Sequence, residues 1–228
     1  MSPLLLFIAF LGGILPACIW LFFWLLEDRC QPEPKRYILL CFVLGGLAVW
    51  PALKLEEVAI PYFSGIALLF CWAITEEVLK FAAAYFAALR WRVFDEPLDA
   101  VIYLVTAALG FSAVENMLFL FGPLEQHDVM RSVLVGDLRF MGATLLHTLA
   151  SASVGITLAL SYYKPAWMRR TAALLGVILA IALHTLFNFF ILGKGGGATF
   201  WIFLCIWCGI VAVLLLTERI KQPSKNYC

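Results

Sequence analysis

Apolar residues run along this chain in seven long blocks, each separated from the next by a cluster of charges, prolines or glycines. The blocks cover residues 3–26, 37–53, 64–89, 98–121, 139–163, 171–192 and 198–217. A helix needs about 20 predominantly apolar residues to cross a bilayer. Only the second block is marginal, with Pro51 near its end. The pattern predicts an all-α polytopic membrane protein of about seven transmembrane helices, folded as a single domain over residues 1–228. The first block is too long for the apolar core of a signal peptide and no basic residue precedes it. It reads as a retained helix, despite an L-P-A-C sequence from Leu15 to Cys18. Residues 122–138 read as a longer polar loop, and the glycine-rich run at 193–197 as a turn.

Composition strengthens this picture. Of 228 residues, 64% are hydrophobic and 14% charged, with mean hydropathy +0.95; soluble domains carry about 25% charge. A net charge of +1 gives no reason to expect a nucleic-acid partner. The seven cysteines are scattered through apolar stretches and form no disulfide framework. Cys205 and Cys208 form a C-x-x-C inside an apolar helix, which reads as packing rather than as a metal site. Eleven Lys and Arg residues fall after spans one, three and five and in the tail, against four on the opposite side (Lys54, Arg131, Arg139, Lys194). The positive-inside rule then puts the N-terminus outside and the C-terminus in the cytoplasm.

Some polar residues lie inside the apolar blocks. Glu76, Glu77 and Lys80 interrupt the third, Glu115 and Asn116 the fourth, His147 the fifth, and His184 and Asn188 the sixth. Blocks one, two and seven hold no deep ionisable group. A charge at a helix centre costs about 2.5–3.5 kcal/mol on the insertion scale, so such a group is a functional-site hypothesis by default. Lys80 follows Glu76 by four residues and Glu77 by three, so it can pair with either and leaves one carboxylate in surplus.

Helical rise gives the depths. With the orientation above, Glu76 lies roughly 18 Å from the outer end of its span, Glu115 roughly 9 Å, and His147 and His184 each roughly 12 Å. The hydrocarbon core is about 30 Å thick. Depth therefore predicts one polar cavity, formed by helices three to six and open toward the extracytoplasmic side.

Carboxylates, imidazoles and an amide at one depth suit hydrolysis. A buried carboxylate can take a proton from water. Imidazole and amide groups can polarise a carbonyl or hold an oxyanion. His184 and Asn188 lie one turn apart in H-T-L-F-N and share a face. Alternatively, Glu115, His147 and His184 are ligands of a divalent metal such as zinc, with water as the fourth ligand. No H-E-x-x-H sequence occurs.

Simpler readings stand beside these. A single histidine or asparagine in a membrane helix is often an interhelical hydrogen-bond partner. Ser151 reads as a small packing residue, His127, Glu125 and Asp128 as a solvated face, and the aromatic richness as lipid-facing packing and interfacial belts. The grouping of the six ionisable residues on four consecutive helices is what favours function. A transporter or proton pathway could use the same groups. The prolines near these spans, Pro61, Pro97, Pro123 and Pro165, fall at or beyond span ends, and no convincing internal repeat is visible, which disfavours transport. A bis-histidine haem protein leaves the two glutamates unexplained, and a non-catalytic scaffold would tolerate Glu76→Gln.

Four motifs resemble the PrsW family of intramembrane proteases, within the wider CAAX-protease and Abi superfamily. E-E-V-L-K (Glu76 to Lys80) resembles E-E-x-x-K, and F-S-A-V-E-N (Phe111 to Asn116) resembles F-x-x-x-E-N. His147, followed by small residues and a glycine, resembles the third motif, and H-T-L-F-N (His184 to Asn188) resembles H-x-x-x-N. The CAAX branch usually has His at the place of Glu115 and Arg at that of Lys80, so the PrsW branch fits better. The resemblance implies cleavage of membrane proteins, for example a single-pass anti-sigma factor cut on its extracytoplasmic side, by a multi-pass protein of the bacterial plasma membrane. It implies Glu76 as general base with Glu77 in support and Lys80 holding the pair. Glu115, with its neighbour Asn116, and His147 would orient water or bind a metal, and His184 and Asn188 would stabilise the oxyanion.

Overall fold

The computed structural model describes residues 3–29, 31–126, 128–193 and 199–221, all as helices and short connections. His127 and the glycine-rich turn from residue 194 onward lie outside the described residues. The elements are α1 (Pro3–Glu27), α2 (Lys35–Leu47), α3 (Val49–Ala59), α4 (Gly65–Ala84) with a π-helical turn at Tyr85–Leu89, α5 (Asp99–Glu125), α6 (Val129–Leu138), a second π-turn at Arg139–Ala143, α7 (Thr144–Leu160), α8 (Ala166–Gly193) and α9 (Thr199–Lys221). Six stretches are long and apolar enough to cross a bilayer: Pro3–Glu27, Lys35–Ala59, Asp99–Glu125, Met130–Leu160, Ala166–Ile191 and Thr199–Lys221. Residues 65–89 have the length for a seventh pass, and it is this helix that carries Glu76, Glu77 and Lys80. Lys221 Nζ lies 2.5 Å from Glu27 Oε2, joining the ends of passes one and seven at one face, as an odd number of crossings requires.

Two boundaries differ from expectation. The marginal second span is longer, because α2 and α3 together form a single pass broken at Ala48. Pro51 has no N–H to give the Leu47 carbonyl, so the hydrogen-bond ladder lapses there and resumes. The polar loop expected at 122–138 is mostly helix. Asp128 caps α6 by accepting a hydrogen bond from the Arg131 N–H at 2.9 Å. Met130, Val133, Leu134 and Leu138 of α6 are exposed, an apolar face that suits a lipid-contacting helix.

The bundle is built around α5 and α7. Residues 99–113 of α5 and 144–156 of α7 are buried without interruption, as expected of helices apolar all round. Helices α1 and α2 pack on α5, and α8 packs on α7. Small residues let these backbones approach, as is common in membrane bundles. A methyl group at Gly45 of α2 would fall 2.0 Å from the Ala107 carbonyl oxygen, and one at Gly110 of α5 would fall 2.0 Å from that of Phe42. The C-x-x-C thiols of α9, Cys205 and Cys208, are free and exposed on the outside of the bundle rather than packed within it.

Candidate active site

Helix α4 places Glu76, Glu77 and Lys80 on its buried face. Glu77 Oε1 accepts from Lys80 Nζ at 2.6 Å and from His184 Nδ1 at 2.7 Å. Lys80 is fully buried, and its Nζ also donates to His147 Nδ1 at 2.8 Å. The ammonium sits 3.7 Å from Glu76 Oε2 and 5.0 Å from the centre of the Phe111 ring. His147 Nε2 faces Glu115 Oε2 at 2.8 Å.

These contacts fix both tautomers. An ammonium only donates and a carboxylate only accepts. His147 therefore receives at Nδ1 and donates from Nε2 to Glu115. His184 donates from Nδ1 to Glu77, leaving Nε2 as an acceptor. The two rings meet edge to face with centroids 5.2 Å apart. His147 Nδ1 and His184 Nε2 each lie 3.9 Å from Glu76 Oε2, a buried oxygen without a hydrogen-bond partner.

A cavity of ≈ 600 Å³ adjoins this cluster. Glu76, Glu115, His147, His184 and Asn188 line it among apolar side chains, whereas Glu77 and Lys80 stand behind its wall. Asn116 also lies off the cavity. Its amide donates to Thr144 Oγ1 at 2.9 Å and Ser112 Oγ at 3.3 Å, tying α5 to α7. Thus the polar residues singled out on spans three to six do converge, with Asn116 as a brace between helices.

The metal-ligand trio differs in one member from the one expected. Ligand atoms of Glu76, His147 and His184 lie within 4.8 Å of one another. Glu115 instead backs His147 from the far ring nitrogen. The donor set fits zinc, which takes imidazole and carboxylate ligands. Each histidine gives its other N–H to a carboxylate, the usual outer support of a zinc-bound imidazole. Glu76 and Glu77 face Lys80, and Glu115 faces Arg139. A metal taking Nδ1 of His147 would displace Lys80 from that nitrogen and leave it its ion pair with Glu77.

Two lining residues were not among the expected site residues. Arg139, counted only as a loop charge, reaches Glu115, with Nη2 2.7 Å from Oε2. Glu56, in the last turns of α3, lines the same cavity. Neither carries a signal in the hydrophobic pattern: Arg139 reaches the face of His147 only through the π-turn, and Glu56 lies beyond Pro51, which reads as the end of the second span.

The fold and site define a multi-pass membrane protein with a buried Glu–His–Lys centre beside a cavity. A family described as PrsW family intramembrane metalloprotease matches residues 33–216. The chain belongs to that family. It is 25% identical over 219 residues to the Protease PrsW of Oceanobacillus iheyensis, covering 94% of this chain and 95% of that protein. The Clostridioides difficile Protease PrsW is 28% identical over 193 residues, covering 80% and 79%. That of Geobacillus kaustophilus is 28% identical over 127 residues, covering 54% of this chain and 56% of its own length. No solved structure matches the chain. Membership of a bacterial intramembrane protease family decides between the proteolytic and transport readings in favour of proteolysis.

Proposed function

We propose that the chain hydrolyses a peptide bond of a single-pass membrane protein within this cavity, near the extracytoplasmic face. The observation that carries the reading is Glu76 Oε2, buried without a hydrogen bond and 3.9 Å from one ring nitrogen of each histidine. The loop charges supply the orientation, N-terminus outside and C-terminus cytoplasmic. An anti-sigma-factor-like helix is the substrate class that the motif resemblance suggests. Placement within the wider CAAX-protease and Abi superfamily rests on motif order alone.

In the metal-dependent form, Glu76, His147 and His184 would hold a divalent ion, which would supply Lewis-acid polarisation of the carbonyl and charge for the developing oxyanion. Glu77 and Glu115 keep each imidazole in its ligating tautomer by accepting from His184 Nδ1 and His147 Nε2. Lys80, fully buried, neutralises Glu77. Glu115, which borders the cavity, takes the proton of the attacking water. Asn188, one turn beyond His184, donates its amide to the carbonyl oxygen. Without a metal, Glu76 itself takes the proton at Oε2. The apolar lining keeps bulk water away from the scissile bond, which strengthens each of these contacts.

The test is cleavage of a panel of tagged single-pass helices by the purified protein in liposomes. Wild type should cut at least one helix, and Glu76→Gln should cut none. A panel left intact by folded wild type, or cut equally by Glu76→Gln, would overturn the reading.

A further inference from the structure

Arg139 lies outside all four motifs, yet it reaches two of their residues at once. Its Nη2 forms an ion pair with Glu115 Oε2 at 2.7 Å, the oxygen that also meets His147 Nε2. Its Nε donates to Asn116 Oδ1 at 2.5 Å. Its guanidinium carbon stands 3.9 Å above the Phe119 ring centre, a cation–π stack on the same helix. Glu115 and Asn116 are consecutive on α5 and point about 100° apart. A planar guanidinium can bridge them, whereas a lysine ammonium offers one point charge.

The local backbone explains how Arg139 gets there. It precedes His147 by eight residues. On an uninterrupted α-helix eight residues sweep roughly 2.2 turns, which would turn the two side chains about 80° apart. The π-turn at Arg139–Ala143 absorbs one extra residue. What remains is close to two full turns, so Arg139 and His147 share the face that looks into the cavity. Phe203 of α9 packs where a methyl group on Gly142 would fall, at 2.5 Å, bracing the widened turn.

We infer that Arg139 is a positioning residue of the hydrolytic site, holding the Glu115 carboxylate and the Asn116 amide so that Glu115 fixes His147 in its Nε2–H form. The inference rests on the proposed function above. It assigns Arg139 no contact with substrate.

Arg139→Gln and Arg139→Lys test it, in wild-type and Glu115→Gln backgrounds, with thermal stability in detergent as the control for folding. Each single variant should lower kcat about 10- to 100-fold, the range for residues that orient a ligand from behind, with KM nearly unchanged. In the Glu115→Gln background Arg139→Gln should cost almost nothing more, because its effect passes through Glu115. Wild-type kcat in Arg139→Lys would overturn the inference, as would a raised KM at unchanged kcat or a full further loss in the double variant. Should Arg139→Gln not fold, Arg139→Lys, which keeps the charge over Phe119, carries the test.

A second readout needs no cleavage, so failure of the proposed function and failure of this inference remain distinguishable. The chain has three histidines, which makes nitrogen-15 histidine spectra assignable by single substitutions. His147 should show the Nε2–H tautomer in wild type, with its Nε2–H resonance shifted in Arg139→Gln as Glu115 loses its anchor. Identical spectra would overturn the positioning role even in a protein with no detectable proteolysis.

Discussion

Glu77 of α4 and His184 of α8 are joined by a 2.7 Å hydrogen bond between residues 107 positions apart in the chain. The same carboxylate oxygen holds Lys80 at 2.6 Å. One oxygen thus sets the tautomer of His184 and neutralises the only fully buried ammonium of the described residues.

Removing one partner of such a pair strands the other. Glu77→Gln should destabilise the protein by about 3–5 kcal/mol, the usual cost of an uncompensated buried charge. Lys80→Met should do the same. The double variant, Glu77→Gln with Lys80→Met, should regain much of the stability but none of the cleavage, since His184 still lacks its carboxylate. Melting temperature and cleavage rate, measured on the three variants, check this; a double variant that cleaves would contradict the role of Glu77.

Asn188 borders the cavity and is half-buried, so its loss should leave the fold intact. Asn188→Ala should lower kcat by about 10²–10³-fold, as removal of an oxyanion donor does. Equal kcat in both proteins would take Asn188 out of the mechanism.

The approach of α2 and α5 makes a sterically explicit prediction. Gly110→Ala puts a methyl group 2.0 Å from the Phe42 carbonyl oxygen, which demands a backbone shift. The expected destabilisation is about 1–3 kcal/mol, the usual range for overpacking. Thermal unfolding in detergent reads it, and an unchanged melting temperature would show that the helices do not cross this closely.

At the opposite end of the bundle Asp28 follows α1. Burial first, then the nearby Glu96 and Asp99, push its carboxyl from 3.8 up to about 8. Its Oδ1 is buried without a partner. The folded state therefore binds a proton that the unfolded chain releases, and stability falls as pH rises between about 4 and 8. Asp28→Asn, which copies the protonated form, should be more stable than wild type at pH 8 and nearly equal near pH 4. A variant less stable at pH 8 would reverse the sign.

Much of this was legible in the sequence because a bilayer makes deep polar residues conspicuous. Glu76, Glu115, His147 and His184 could be grouped from helical depth, with Asn188 added by its place one turn after His184, and they do meet at one cavity. The choice of metal ligand was not legible. Glu76 and Glu115 both lie within reach of His147, and which carboxylate faces which ring nitrogen depends on rotamers and helix rotation. Arg139 was hidden by a π-turn, which changes the face a residue occupies without leaving a mark in the hydrophobic pattern. Pro51 reads as the end of the second span, whereas the helix continues past it to Ala59.

The most direct test of the Glu76–His147–His184 centre is zinc content and zinc affinity of the purified protein, set against cleavage on the same samples. Wild type should bind close to one zinc per chain. Glu76→Gln, His147→Ala and His184→Ala should each abolish both binding and cleavage, while Glu115→Gln should retain zinc and lose most activity. Zinc retained in all three trio variants, or lost in Glu115→Gln alone, would contradict this centre.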